Sequence, residues 1–115
     1  NSDQSHLKTA HLKRIERYIS VNLGDPDLTP ARIAHCCGIS LRYLHKLFSG
    51  SGYTVSEWVR VQRLEAAHRE LEAIPEGVNI GEVAYRWGFS NQAQFCRVFR
   101  QQFGYSASEL RDRLS

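Results

Sequence analysis

The sequence predicts an all-α protein of about seven helices, in two similar halves joined by a long linker helix. Three observations carry this. Apolar residues recur every third or fourth position through most of the 115 residues, which is the spacing of one buried helix face. No segment alternates apolar and polar residues long enough for a half-buried strand. Ser, Thr and Asn open the periodic runs while Gly and Pro close them, as helix caps and stops do.

The first helix is predicted from about His6 to Asn22, with Leu7, Leu12, Ile15, Tyr18, Ile19 and Leu23 at helical spacing and Gly24 and Pro26 as its stop. Thr29 is placed to cap a short second helix that begins at Pro30, a residue suited to the first helical position, and ends at Gly38. Ser40 caps a third helix with Leu41, Leu44, Leu47 and Phe48 on one face. Thr54 and Glu57 form a capping box for a fourth helix of about 19 residues, whose inward stripe is Trp58, Val61, Leu64, Ala67 and Leu71, with His68 beside it. Pro75 and Gly77 stop it. Asn79 caps a fifth helix through Trp87 to Gly88, and Ser90 or Asn91 opens a sixth with Phe95, Val98, Phe99 and Phe103 inward, stopped at Gly104. Ser106 and Glu109 are a second capping box, opening a last helix to Leu114.

The halves repeat each other. Ala34, Gly38 and Ser40 return as Ala84, Gly88 and Ser90 at an offset of 50; Leu44 and Phe48 return as Phe95 and Phe99 at 51; Gly52, Tyr53 and Glu57 return as Gly104, Tyr105 and Glu109 at 52. The drift is two single-residue insertions in the second copy of one supersecondary unit. Each copy is a short helix, a glycine turn and a second capped helix, which is the pattern of a helix-turn-helix. The alanine permits close approach of the two helices, the glycine supplies a backbone conformation that side chains disfavour, and Ile39 or Phe89 after it plugs the core. The division expected is a first helix-turn-helix subdomain at 1–53, a linker helix at 54–74 and a second subdomain at 75–115.

Burying the apolar face of each second helix turns a polar one outward. In the first copy that face is Arg42, His45, Lys46 and Ser49; in the second it is Gln92, Ala93, Cys96, Arg97 and Arg100. Neither contains Asp or Glu, although the chain has twelve. Arg, Gln and Asn pair bidentately with purine edges, and cations meet phosphates, so double-stranded DNA is the partner these faces fit. The alternative from another class is a helical protein-interaction module whose basic faces bind an acidic partner.

The stretches G-I-S-L-R-Y-L-H-K-L-F and I-G-E-V-A-Y-R-W-G-F-S-N-Q-A-Q-F-C-R-V-F-R-Q-Q-F-G-Y-S-A-S-E-L-R resemble the DNA-binding domain of the AraC/XylS transcription regulators over about residues 7 to 112. Ala107 departs from the family, which usually has proline there. The resemblance implies a sequence-specific DNA-binding module of a bacterial regulator, an activator that contacts RNA polymerase, with its two recognition helices in adjacent major grooves. The geometry suits that mode: a 19-residue helix is about 28 Å long, close to the roughly 34 Å between successive major-groove faces. Carried over position by position, Arg42, His45, Lys46, Gln92, Ala93, Cys96 and Arg97 become base readers. Ser40, Ser90 and Asn91 near helix N-termini, with Arg60 and Arg100, become phosphate contacts; Arg60 has a competing partner in Glu57, one turn away.

Composition excludes much else. Fifteen Lys and Arg against twelve Asp and Glu give +3, a mild basic excess compatible with nucleic acid. No apolar stretch approaches the length of a membrane-spanning helix. Three cysteines, two of them adjacent, make neither a disulfide ladder nor a zinc knuckle, and a reducing cytoplasm is the expected compartment. Adjacent helical residues point about 100° apart, so His35, Cys36 and Cys37 cannot converge on one ion. No nucleophile, base and orienting acid converge, and no Gly-rich phosphate loop occurs, so neither enzymatic activity nor a cofactor is expected. The chain begins with Asn and has no Met; it is expected to be a monomeric fragment or processed form, and the N-terminal effector and dimerisation domain that members of this family commonly carry is either cut away or was never present.

Overall fold

The computed structural model describes residues 2–73 and 77–114, and the side chains of 5–73 and 77–113. Among the described residues are seven helices and no strand: α1 (Ser2–Val21), α2 (Pro30–Cys37), α3 (Leu41–Phe48), α4 (Val55–Ala73), α5 (Ile80–Arg86), α6 (Gln92–Phe103) and α7 (Ala107–Leu114). No helix among them is long and apolar enough to cross a membrane. The chain divides into two compact units. One comprises Asn1–Leu23 and Asp27–Arg60, the other Gly24–Pro26 and Val61–Ser115, so the boundary falls inside α4.

In the first unit Ile15, Ile19, Ile33, Leu44 and Val55 are fully buried. Ile15, Ile19 and Leu44 are on the faces the sequence predicts, whereas Ile33 and Val55 are not among the core residues it predicts, and Leu7 is not part of this core and is 56% exposed. The reason is where the partner helices lie. Lys8, Thr9 and Leu12 line a groove with Lys46 and Leu47 of α3, so Leu7 lies off the side of α1 turned to α3; further along, His11 Nδ1 and the Tyr43 hydroxyl stand 2.8 Å apart and the Arg14 guanidinium donates to the Cys37 carbonyl at 2.9 Å. Burial raises the Cys37 thiol pKa, and the Arg14 charge partly offsets that rise. Helix α1 runs from Ser2 rather than His6 and closes on Tyr18, whose carbonyl accepts from the Asn22 side chain.

The predicted caps form where their side chains reach back three residues. Thr29 accepts from Arg32 N–H, Ser40 from Tyr43 N–H and Asn79 from Glu82 N–H. The Thr54–Glu57 box is complete, each residue's N–H donating to the other's side chain at 2.8 and 3.0 Å. At the start of α6 Asn91 accepts from Gln94 N–H at 3.0 Å, so Asn91 is the cap, and Ser90 remains in the turn. The insertion that shifts the repeat from 50 to 51 therefore lies in the second turn. The Ser106 box is half formed: Ser106 accepts from Glu109 N–H, while the Glu109 carboxylate faces Arg100 at 3.5 Å. The position equivalent to Arg100 in the first copy is Ser49, so Glu57 has no such competitor.

The second unit buries Leu64, Leu71, Val83, Phe95 and Phe99, and the Phe99 ring centroid stands 5.6 Å from that of Phe95 and 4.6 Å from that of Phe103. Helix α4 does not bury one uniform stripe. Val55 and Val59 are buried in its first-unit stretch, Leu64, Ala66, Ala67 and Leu71 in its second-unit stretch, and Trp58 and Val61 are half-buried. The predicted stop at Pro75 lies outside the described residues. Ala107, in place of the family's proline, starts α7 and is buried.

Candidate nucleic-acid interface

Each unit builds its turn in the same way. Gly38 and Gly88 take φ of 71° and 88°, the left-handed region where a Cβ is strained. Ile39 N–H donates to the Ala34 carbonyl at 3.0 Å and Phe89 N–H to the Ala84 carbonyl at 2.9 Å. Both alanines are buried. The turns thus carry α3 and α6 away from α2 and α5 by matching hydrogen bonds, although the two share only a few identical residues.

The second turn has a feature the first lacks. The Arg63 guanidinium donates to the Asp25 carbonyl at 2.6 Å, and a Cβ on Gly88 would stand 2.7 Å from its Cζ. Partial burial pulls the Arg63 pKa down, against the pull of Asp25. Arg63 therefore holds the 24–26 loop against the second turn. Gly24 has no left-handed φ; its Cβ would meet the Arg86 carbonyl at 2.8 Å. A third link spans α4, α6 and the loop before α7: His68 lies 2.7 Å from Glu72 through Nδ1 and 2.6 Å from the Tyr105 hydroxyl through Nε2, with its ring parallel to Phe99.

On α3, Leu44 and Phe48 are buried while Arg42, His45, Lys46 and the cap Ser40 are exposed. On α6, Gln92, Ala93, Arg97 and Arg100 are exposed, as are Ser90 and Asn91 before it. Cys96 is half-buried and packs against the second core, so it lies at the margin of the face rather than on it. Neither helix has an acid in its first turn. Among the described residues Arg42, Lys46, Arg60 and Arg97 make no ion pair, and Arg60 does not bond Glu57, whose carboxylate serves the α4 cap. Three exposed glutamines of α6, Gln94, Gln101 and Gln102, escaped the sequence reading, and the first two flank Arg97, about 60° and about 40° round the helix from it. Gln92, conversely, lies over α5, where a Cβ on Gly81 would stand 2.7 Å from its Oε1.

No group of His, Cys, Asp and Glu among the described residues has a metal-holding arrangement. What remains is a pair of exposed, acid-free helix faces.

The comparisons agree with this geometry. The pattern of a helix-turn-helix domain matches residues 33–113. The transcriptional activator NphR of Rhodococcus sp is 40% identical over 99 residues, 86% of this chain and 29% of its own length. The transcriptional activator RhrA of Rhizobium meliloti is 33% identical over 107 residues, 92% of this chain and 33% of its own. The chain thus spans about a third of the length of these relatives. Among solved structures, a probable AraC family transcriptional regulator from Rhodopseudomonas palustris superposes with a TM-score of 0.80 at 30% identity, covering 91% of this chain and 97% of that one. A DNA-binding transcriptional dual regulator from Escherichia coli K-12 gives 0.80 at 27% identity, covering 90% and 96%. With a repeated turn built on Gly38 and Gly88, and relatives of this kind across most of its length, the chain belongs to the AraC-type helix-turn-helix family of DNA-binding transcription regulators, and not to an enzyme family.

Proposed function

We propose that this chain reads an asymmetric duplex site by setting α3 and α6 into successive major grooves. The observation that carries the reading is the exposed face of each of these helices, basic or amide-bearing and free of acids. Arg42, His45 and Lys46 face bases in one groove; Gln92, Ala93 and Arg97 face them in the other, with Cys96 at the margin. Ser40, Ser90, Asn91, Arg60 and Arg100 contact phosphates. The division into 1–53, 54–74 and 75–115 gives α4 the role of spacer, and its length of about 28 Å at about 1.5 Å per residue supports that role.

Two relatives carry the word activator in their names, which supports an activating role here, through contact with RNA polymerase in the cytoplasm. The chain acts as a monomeric DNA reader that binds its site without a small ligand.

Selection of bound duplexes from a random pool tests this, followed by a salt titration on the winner. Two enriched blocks about one helical turn apart are expected. With about six to eight phosphate contacts, the log-log salt slope is expected near −5 to −7. One block alone would limit base reading to one unit. Enrichment of nothing, with a shallow slope, would overturn the reading in favour of a protein-interaction module. Within the winning site, Arg97→Ala is expected to cost about 1–3 kcal/mol and relax one base position; uniform weakening on all sequences would make Arg97 a phosphate contact instead.

A further inference from the structure

We infer that Gln94 is a specificity-determining residue, reading an adenine next to the guanine read by Arg97, and that this adenine belongs to the second half-site alone. The inference rests on the DNA-reading function proposed above. Its ground is the difference between equivalent positions of the two units. Lys46 and Arg97 correspond at the offset of 51, and both are exposed. Tyr43 and Gln94 correspond at the same offset and part ways. Tyr43 is half-buried, with its hydroxyl 2.8 Å from His11 Nδ1 and its ring edge-on to that imidazole. Gln94 is exposed, and its side chain has no hydrogen bond among the described residues. The first unit spends this position on its own packing, and the second presents it to solvent.

The remaining geometry favours a base contact. The Gln94 backbone N–H is bonded to the Asn91 cap at 3.0 Å, so the side chain springs from a held first turn, the part of a recognition helix that meets base edges. Arg97 lies three residues on, about 60° round the helix and about 4.5 Å along it. The rise per base along one strand is about 3.4 Å, so side chains from these two positions address neighbouring base pairs. Ala93 beside them has no bulk to hold the groove away. Arginine pairs bidentately with guanine O6 and N7, and glutamine with adenine N6 and N7. Gln92, the other amide of that turn, lies over Gly81.

Duplex selection on the native chain, Gln94→Ala and Arg97→Ala tests this. Gln94 is exposed, so the variant is expected to fold, which its circular dichroism and melting temperature check. The expected result is a native motif with an A·T pair adjoining the guanine that Arg97→Ala releases. Gln94→Ala should lose only that A·T preference, a drop of about fivefold to a hundredfold against the other base pairs, and leave the first block intact. Equal weakening on every duplex would make Gln94 a phosphate contact and overturn the inference, as would an unchanged motif. A native chain that enriches no motif would overturn the DNA-reading function itself, an outcome distinct from failure of Gln94 alone.

Discussion

Gly38 and Gly88 do the same backbone task and are expected to differ in how far they tolerate a side chain. A Cβ on Gly38 meets nothing within 4 Å, whereas on Gly88 it meets Arg63. A left-handed residue with a side chain costs about 1–2 kcal/mol, which is the expected loss for Gly38→Ala in urea unfolding. Gly88→Ala should cost more, because the Arg63 guanidinium must also leave the Asp25 carbonyl. In an Arg63→Ala background the two substitutions should cost about the same, since the coupling between Gly88 and Arg63 is then removed. Equal losses in the native background would mean that Arg63 moves aside freely. The glycines themselves were legible in the sequence from their place in the repeat. The contact with Arg63 was not, because Arg63 and Asp25 are 38 residues apart and no local pattern joins them.

Helix ends are the elements that the sequence describes best, and the two copies allow a direct comparison. Ser90 and Ser40 align in the repeat, yet Asn91 caps α6. Asn91→Ala is expected to cost about 1 kcal/mol and Ser90→Ala close to nothing in the same unfolding experiment; the reverse order would return the cap to Ser90. The α4 box gives a pH dependence. The Thr54 N–H, followed by the Thr54 hydroxyl side, holds the Glu57 carboxyl below its usual range, with a smaller pull from Arg60. A depressed carboxyl contributes stability that is present above its unfolded pKa, about 4.3, and lost as pH falls through the folded value. The native chain should therefore outlast Glu57→Gln above about pH 5, and its advantage should shrink toward zero in more acid solution. An advantage independent of pH would show that the charge on Glu57 plays no part in the cap.

Two units with separate cores make the whole molecule divisible. Leu44 and Phe99 are both fully buried, one in each unit. Substitution of such residues by alanine typically costs about 2–5 kcal/mol, a large share of the stability of a small domain. Leu44→Ala is expected to erase the first block of a selected DNA motif and spare the second, and Phe99→Ala the opposite. Loss of both blocks from either substitution would show that the units fold only together.

Helix identity, most caps, the repeat and the acid-free outer faces were open to a reading of the chain alone, because periodicity and capping act within about one turn. That same reading put Leu7 in the core and treated α4 as one stripe. The fold decided otherwise, since burial depends on which partner helix arrives and where: α3 lies on the side of α1 that carries Lys8, Thr9 and Leu12 rather than Leu7, and α4 serves one unit at Val59 and another at Leu64. The His68–Tyr105 contact and the Arg63 bridge came from tertiary structure for the same reason. So did the separation of Gln94, facing outward, from Gln92, lying over Gly81. Residues two positions apart on one helix differ by about 200°, so α5 lies beside one of these exposed amides and not the other.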